Sequence, residues 1–235
     1  MKNQHSYILK ALILILLTSS LLSNFTIAAD NIDLAVIQKI IKDVKKKSSQ
    51  NDYTPASTGD VLFVGDQVQT GKGSLALIKF KDKSLVRLRE QSVLTMNGAG
   101  KQNSFIKENH LTQGSLEFEV QKQKAELFRL TSPTSVASIR GTKGKWSGGQ
   151  GHDTLVVTEG RVNLKNKISG NETDVDAGSI GFSNEDGSVY SRIATDEELA
   201  DAISAASDAK TNELKLEMQD SKGNKKELKL RYKQQ

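Results

Sequence analysis

Leu75-Ala76-Leu77-Ile78-Lys79-Phe80, then Asp82-Lys83-Ser84, then Leu85-Val86-Arg87-Leu88-Arg89: two apolar runs of strand length stand either side of a turn. Short apolar runs bounded by Asp, Ser and Gly read as β-strands joined tightly. The same texture extends both ways. Upstream lie Val61 to Val64, Gly65-Asp66, Gln67-Val68 and Thr70-Gly71-Lys72-Gly73; downstream, Val93-Leu94-Thr95-Met96 ends at Asn97-Gly98. Ser74, Ser84 and Ser92 each open an apolar run, at intervals of ten and eight residues. A weak period of that kind suggests stacked or rolled strands rather than long hairpins. The fold class is therefore all-β, a compact solenoid-like or rolled domain of short strands. Further on, Gln113-Gly114-Ser115-Leu116-Glu117-Phe118 echoes Glu159-Gly160-Arg161-Val162-Asn163-Leu164. A glycine opening a strand permits positive φ or close backbone approach, so the two runs read as equivalent strands of one sheet system.

The ends differ from this middle. Met1 to Lys10 carries two lysines, Ala11 to Leu17 is unbroken apolar sequence, and Thr26-Ile27-Ala28-Ala29-Asp30 closes with small residues. That order describes a cleavable secretory signal over 1–29, cut after Ala28 or Ala29. Polar Thr18, Ser19 and Ser20 interrupt it too early for a membrane span. Residues 30–55 form an N-terminal strand-and-loop segment. In it, Ile32, Val36, Ile37, Ile40, Ile41 and Val44 suit a helical stripe or, being β-branched, a strand. At the other end, residues 179–235 form an extension. Thr195-Asp196-Glu197-Glu198 is a capping-box start for a helix over about 196–209. Alternation in Leu214 to Met218 and Leu228 to Tyr232, around Ser221-Lys222-Gly223-Asn224, predicts a hairpin over 213–233.

Composition removes several function classes. The chain has 235 residues, no Cys, three His, 18 Gly and 2 Pro. Without Cys there are no disulfides, zinc-thiolate sites or thiol catalysis. The net charge of +5 includes Lys2 and Lys10 of the leader. The balance that remains is too even for a nucleic-acid binder.

The familiar chemical motifs also fail on spacing. Gly141-Thr142-Lys143-Gly144-Lys145-Trp146 has two residues between its glycines and Trp after the second lysine, so it is not a phosphate loop. Gly148-Gly149-Gln150-Gly151 lacks the dinucleotide-binding spacing and reads as a flexible hairpin tip. His152 and Asp153 are neighbours that point to opposite faces of a strand, and His110 has no matched partner. Asn184-Glu185-Asp186-Gly187 lacks the spaced acids of a calcium loop. Glu117 and Glu119 share a strand face at roughly the separation of an inverting glycosidase pair. Trp146 is the only Trp available as a sugar platform.

One constellation is more specific. Gly65-Asp66-Gln67-Val68-Gln69-Thr70-Gly71 and the run Ser74 to Leu88 resemble the FecR domain family, whose pattern is G-D-x-[VI]-x-T-G, a serine, alternating apolar residues and D-G-S. The resemblance continues through Leu111, Gly114 and Leu116. Leu130-Thr131-Ser132-Pro133-Thr134-Ser135-Val136-Ala137-Ser138-Ile139-Arg140-Gly141-Thr142 then looks like the family's T-P-x-A-x-x-x-x-R-G-T segment. Val156 to Val162, including Gly160, and Val175 to Gly178 close it. It spans 56–178. Lys83 stands where the family has Gly, and Ser132 widens the Thr-Pro step; both are expected to alter local turns more than the fold. The resemblance implies structural roles for Gly65, Asp66, Thr70, Gly71, Asp82, Ser84, Gly114, Pro133, Arg140, Gly141, Thr142 and Gly160. It also tips Val36 to Lys46 towards strand.

The best-known family members join a cytoplasmic sigma-factor contact, one membrane span and a periplasmic receptor-reading part. A leader here implies the soluble branch, periplasmic or secreted, with no span after cleavage and no direct sigma-factor contact. The reading is a non-enzymatic exported domain, without metal or cofactor, that binds or scaffolds an envelope protein or glycan. The alternatives are a polysaccharide-acting enzyme using Glu117 and Glu119, and a structural accessory of an export or adhesion system. Exposed loops are expected at Lys81–Lys83, Asn97–Ser104 and Ser147–Asp153. Trp146, with Gly148, Gly149 and Gly151 beside it, is the candidate contact: a large apolar face next to accessible backbone.

Overall fold

A computed structural model describes residues 33–48, 51–99, 106–122, 127–149, 151–207, 212–219 and 225–232. The predicted leader lies outside them. Seventeen strands join in one hydrogen-bonded system that divides into two layers. The first sheet runs β4 (Val61–Phe63), β1 (Asp33–Ile41), β6 (Leu75–Phe80), β7 (Leu85–Leu88), the second half of β9 (Ile106–Glu119), β12 (Lys143–Gly148), β13 (His152–Glu159), β16 (Ser179–Asn184) and β17 (Val189–Ile193). The second runs β3 (Thr54–Pro55), β2 (Val44–Lys47), β5 (Gln67–Thr70), β8 (Val93–Ala99), the first half of β9, β10 (Leu127–Thr131), β11 (Ser135–Ile139), β14 (Arg161–Asn166) and β15 (Glu172–Asp176). Strand β9 thus belongs to both: Gln113 pairs with Val93 in the second sheet, and Gly114 pairs with Gly148 in the first.

The chain winds back and forth between these layers, so the expected rolled all-β fold is what forms. Alternate residues point between the sheets and build one core, in which Trp146, Phe80, Phe118, Ile37 and Leu62 are among the largest fully buried side chains. Phe80 of the first sheet meets Phe128 of the second edge-to-face, with ring centroids 5.1 Å apart.

Each described crossing from one layer to the other contains a residue with positive φ, and most of these are glycines. Gly114 and Gly160, the paired glycines of the sequence echo, show why. Gly114 has φ +99°, and a Cβ there would lie 2.1 Å from Ser92 Oγ; Gly160 has φ +84°, and its Cβ would lie 2.9 Å from Gly141 O. Both the backbone angle and the close approach exclude a side chain.

The serine period has an equally local cause. Ser74, Ser84 and Ser92 follow Gly73, Lys83 and Gln91, whose φ values are +62°, +69° and +53°. Each hydroxyl then accepts a backbone N–H from a neighbouring segment: Asp43 at 3.1 Å, Gln121 at 3.1 Å and Ser115 at 2.9 Å. All three serines are buried, so these bonds satisfy donors that water cannot reach. Lys83, at the position where the family pattern has Gly, adopts the left-handed conformation.

The N-terminal segment is strand, broken at Lys42 (φ +58°), where the chain passes from β1 to β2. The predicted loop at 97–104 is corrected in part: β8 continues through Ala99, because Asn97, Gly98 and Ala99 pair with Glu108, Lys107 and Ile106. The rest of that loop lies outside the described residues. The helix α1 is Asp196–Ser207, and β18 (Asn212–Gln219) pairs antiparallel with β19 (Lys225–Tyr232) as the predicted hairpin. Thr195 caps α1 by accepting the Glu198 N–H at 3.2 Å, and Glu198 accepts the Thr195 N–H at 2.8 Å. Leu199 and Ala202 of α1 join Val156, Ile180 and Phe182 in a small second core on the outer face of the first sheet.

Candidate functional site

The β12–β13 hairpin, the β7–β8 crossing and the bend in β9 converge at one end of the first sheet. They enclose a cleft of about 410 Å³ lined by Gln91, Gln113, Gly114, Ser147, Gly148, Gly149, His152 and Thr154. Ser147 and Thr154 are cross-strand neighbours. Gln91 holds φ +53°, a conformation that a non-glycine residue adopts only at a cost of roughly 1–2 kcal/mol. Gln113 Nε2 donates to the Gln91 carbonyl at 3.4 Å, which ties the two rims together. His152 Nδ1 bonds to Asn184 Oδ1. An amide oxygen only accepts, so Nδ1 carries the proton and donates it to Asn184.

Aromatic side chains border this cleft. Phe182 pairs with Thr154 across the strands and stacks on Tyr190, with centroids 5.0 Å apart and planes 21° from parallel. The His152 ring lies 6.1 Å from Phe182, and the Arg192 guanidinium sits 5.2 Å from the Phe182 centroid.

Behind the cleft, between the sheets, Asp153 is 1% exposed. Its Oδ2 accepts hydroxyl bonds from Ser132, Thr134 and Ser135, and its Oδ1 accepts the Gly149 N–H at 3.3 Å. Ser132 Oγ also accepts the N–H groups of Thr134 and Ser135 at 3.1 and 2.9 Å. This hub joins the β10–β11 turn of one sheet to the β12–β13 hairpin of the other, and so fixes the cleft floor from inside.

A scan against family models matches residues 66–163 to the family described as FecR protein. Residues 66–163 form a FecR domain. Two crystal structures, at 1.65 and 2.50 Å resolution, of a candidate anti-sigma factor from Parabacteroides distasonis ATCC 8503 are similar to this chain. They are 13% and 14% identical, each with a TM-score of 0.47, and the alignments cover 54% of this chain and 59% of theirs. The chain therefore spans under two thirds of that protein's length. No curated protein matches it.

Within and around the FecR domain, the motif residues hold crossings and hairpin turns rather than line the cleft, Gly114 excepted. Asp66 Oδ2 accepts the Phe63 N–H at 2.9 Å, where the chain leaves β4 just after Gly65. Thr70 Oγ1 donates to the Arg89 carbonyl and accepts the Ser92 N–H at 3.0 Å. Gly71 donates its N–H to the Asp43 carbonyl at 2.9 Å. Asp82 Oδ1 accepts the Ser84 N–H at 2.8 Å, and its other oxygen meets the buried Lys107. Thr142 Oγ1 contacts the Arg161 carbonyl at 3.0 Å, packing Gly141 against Gly160. Arg140 follows the end of β11 at the surface, and Pro133 is exposed in the β10–β11 turn.

The expected contact surface needs correction. Trp146 is 1% exposed and faces the core, so its ring presents no face to a ligand. Alternation explains this: Gly144, Trp146 and Gly148 share the inward side of β12. Gly148 and Gly149 line the cleft, whereas Gly151 packs on Glu185, whose N–H reaches the Gly151 carbonyl at 2.8 Å. Ser147 and Gly148 belong to β12 and His152 and Asp153 to β13, with Asp153 buried, so these residues are not loop. His110 bonds to Thr131 Oγ1 at 3.0 Å, and burial followed by the nearby Lys167 lowers its pKa. Gln91, Gln113 and Thr154 carried no motif in the sequence; only their place at turns and on the outer strand face marked them.

Among the described residues, Glu117 is the acid whose pKa is raised most. It sits between Arg87 and Lys145 in a cross-strand row and is 1% exposed. Ala202 and Ile203 of α1 help line the hollow around it, which measures about 300 Å³. Arg89 Nε lies 3.2 Å from Oε1, yet among the described residues neither oxygen accepts a hydrogen bond. Burial pushes the carboxyl up to about 7, against the pull of Arg89, Arg87 and Lys145.

Proposed function

We propose that this chain is an exported, non-enzymatic accessory of a signalling system, whose FecR domain binds an envelope partner at the Gln91–Gln113–His152 cleft. The observation that carries the reading is the chemistry of that lining. It offers amides, hydroxyls, an imidazole and bare glycine backbone, with no carboxylate among them. His152 bonds to an amide, so it lacks the carboxylate that orients the histidine of a nucleophile–base–acid triad. The side chains of Gln91, Ser147 and Thr154 make no hydrogen bond to another described residue, which leaves their capacity for a ligand. The cleft also stands on a braced scaffold, as binding sites usually do. The leader-like start supports export, and no helix among the described residues is long and apolar enough to cross a membrane. FecR-domain membership supports the signalling connection.

Photo-crosslinking in intact cells tests the reading. A benzophenone amino acid at Gln113 is expected to trap a discrete adduct that the same probe at Lys165, on the second sheet, does not. Equal adducts, or none from Gln113, would remove the cleft as the contact. Intact mass of the native protein checks export, with Ala29 or Asp30 expected as the first residue.

A second reading rests on Glu117, since a carboxyl held near 7 suits a general acid. Its burial under α1 and the closure of the site favour a structural origin. Glycan hydrolysis over many turnovers, abolished by Glu117→Gln, is the result that would establish the enzyme instead.

A further inference from the structure

We propose that the cleft is a subsite for a neutral oligosaccharide, an inference that rests on the cleft being the contact surface and adds the class of ligand. Gln91, Gln113, Ser147 and Thr154 each both donate and accept, as sugar hydroxyls do, and His152 adds a ring nitrogen. No Arg, Lys, Asp or Glu stands among the residues that line the cleft. A phosphate, a uronate or an acidic peptide seated in the cleft would find no Arg or Lys among these residues.

The aromatic pair supplies the second element. Phe182, with the Arg192 guanidinium over its ring, and the 49%-exposed Tyr190 form a stacked ledge beside Thr154, on which Tyr190 is the open ring. The C–H face of a pyranose packs on such a surface while its rim hydroxyls turn to polar groups. The ledge also belongs to a longer groove. A hollow of about 260 Å³ lies under α1, lined by Lys145, Ile180, Phe182, Glu198 and Asp201, and it shares Ser147 and Thr154 with the cleft; Lys145 pairs with Asp201 and Glu198 with Arg192, so its charges are met within the protein. Two connected cavities meeting at two hydroxyls suit a chain of sugar units better than a single small molecule.

A protein partner finds less here. Strand addition needs a free sheet edge, whereas this groove runs over a sheet face. An apolar anchor needs a greasy pocket, and the cleft lining contains none.

Isothermal titration of the full-length chain with maltohexaose, cellohexaose and chitohexaose, and with polygalacturonate as the anionic control, decides the matter. At least one neutral hexamer is expected to bind in the millimolar range or tighter, with polygalacturonate silent. Two lost hydrogen bonds at ~1 kcal/mol each predict at least about tenfold weaker binding for Gln113→Ala/Thr154→Ala. Tyr190→Ser is expected to weaken binding as well, and Lys165→Ala to leave it unchanged. Melting temperature checks that each variant stays folded. No heat from any neutral hexamer at about 10 mM, or equal affinity in the double variant, overturns the proposal. A crosslinked protein at Gln113 together with silent hexamers would overturn the sugar assignment and leave the cleft reading standing. Silence in both experiments would end both.

Discussion

Glu117→Gln tests the electrostatics of the first sheet most directly. The carboxyl has an ordinary pKa of 4.5 in the unfolded chain and is raised to about 7 in the fold. The folded state therefore holds its proton more tightly, and stability falls as pH rises from the unfolded to the folded value. Integrating that difference gives a loss of about 2 kcal/mol by pH 6 and about 3 kcal/mol by pH 8, after which it levels off. Gln is isosteric and does not titrate, so the variant escapes this loss. The assay is urea unfolding of both proteins at half-unit steps from pH 4.5 to 8. Glu198 works in the opposite sense, since Arg192 and the Thr195 N–H hold it down to about 2. Its stabilisation is lost only as pH falls from 4.5 towards 2, below the tested range, and it is common to both proteins. The difference curve should start near zero and climb in favour of the variant up to pH 7. Parallel curves across that range would refute the argument, because they would mean that Glu117 is solvated or paired in the fold. A gain for the variant already complete at pH 4.5 would show a packing effect rather than a titration.

Gly114→Ala places a methyl 2.1 Å from Ser92 Oγ at φ +99°, and a loss of about 3 kcal/mol in denaturant unfolding is expected from strain plus overpacking. Asp153→Ala removes the common acceptor of three buried hydroxyls and should cost about 3–5 kcal/mol; Asp153→Asn, keeping one oxygen, should cost less, and calorimetric melting orders the two. Lys83→Gly relieves a left-handed lysine at φ +69° and should raise stability by roughly 0.5–1 kcal/mol in urea unfolding, its gain trimmed by the freer unfolded chain.

The strands were legible because turn chemistry punctuates them. Positive-φ residues followed by serine mark tight turns, at Gly73 and Gln91 where the chain changes layer and at Lys83 within the β6–β7 hairpin, and that rule was visible as the spacing of Ser74, Ser84 and Ser92. The helix and hairpin were legible from capping residues and alternation. Which strands are lateral neighbours was not legible, because β11 pairs with β14 and β13 with β16 across a whole intervening hairpin. The site was harder still. Trp146 looked like a surface platform because glycines surround it, yet those glycines are small to let the indole and its neighbours pack: a Cβ on Gly148 would lie 2.8 Å from Trp146 Nε1. Asp153 shares the inward face with Leu155 and Val157, an acid in an apolar stripe, and that mismatch was its signal. No local pattern announces the cleft, since its walls come from three segments brought together only by the winding.

That winding has a consequence for how such a molecule can change in size. One repeat of it, a hairpin in each layer, occupies Lys143 to Asp176 and touches only the repeats on either side. Nothing in the pairing rule sets the number of repeats, so length is a free parameter, as in other one-dimensional stacks. What halts growth must then sit at the ends. At one end, β15 carries Glu172, Asp174 and Asp176, the two aspartates paired with Arg161 of β14, and charged side chains on an edge strand discourage an added strand. At the other, the two-residue strand β3 gives an added strand almost nothing to pair with.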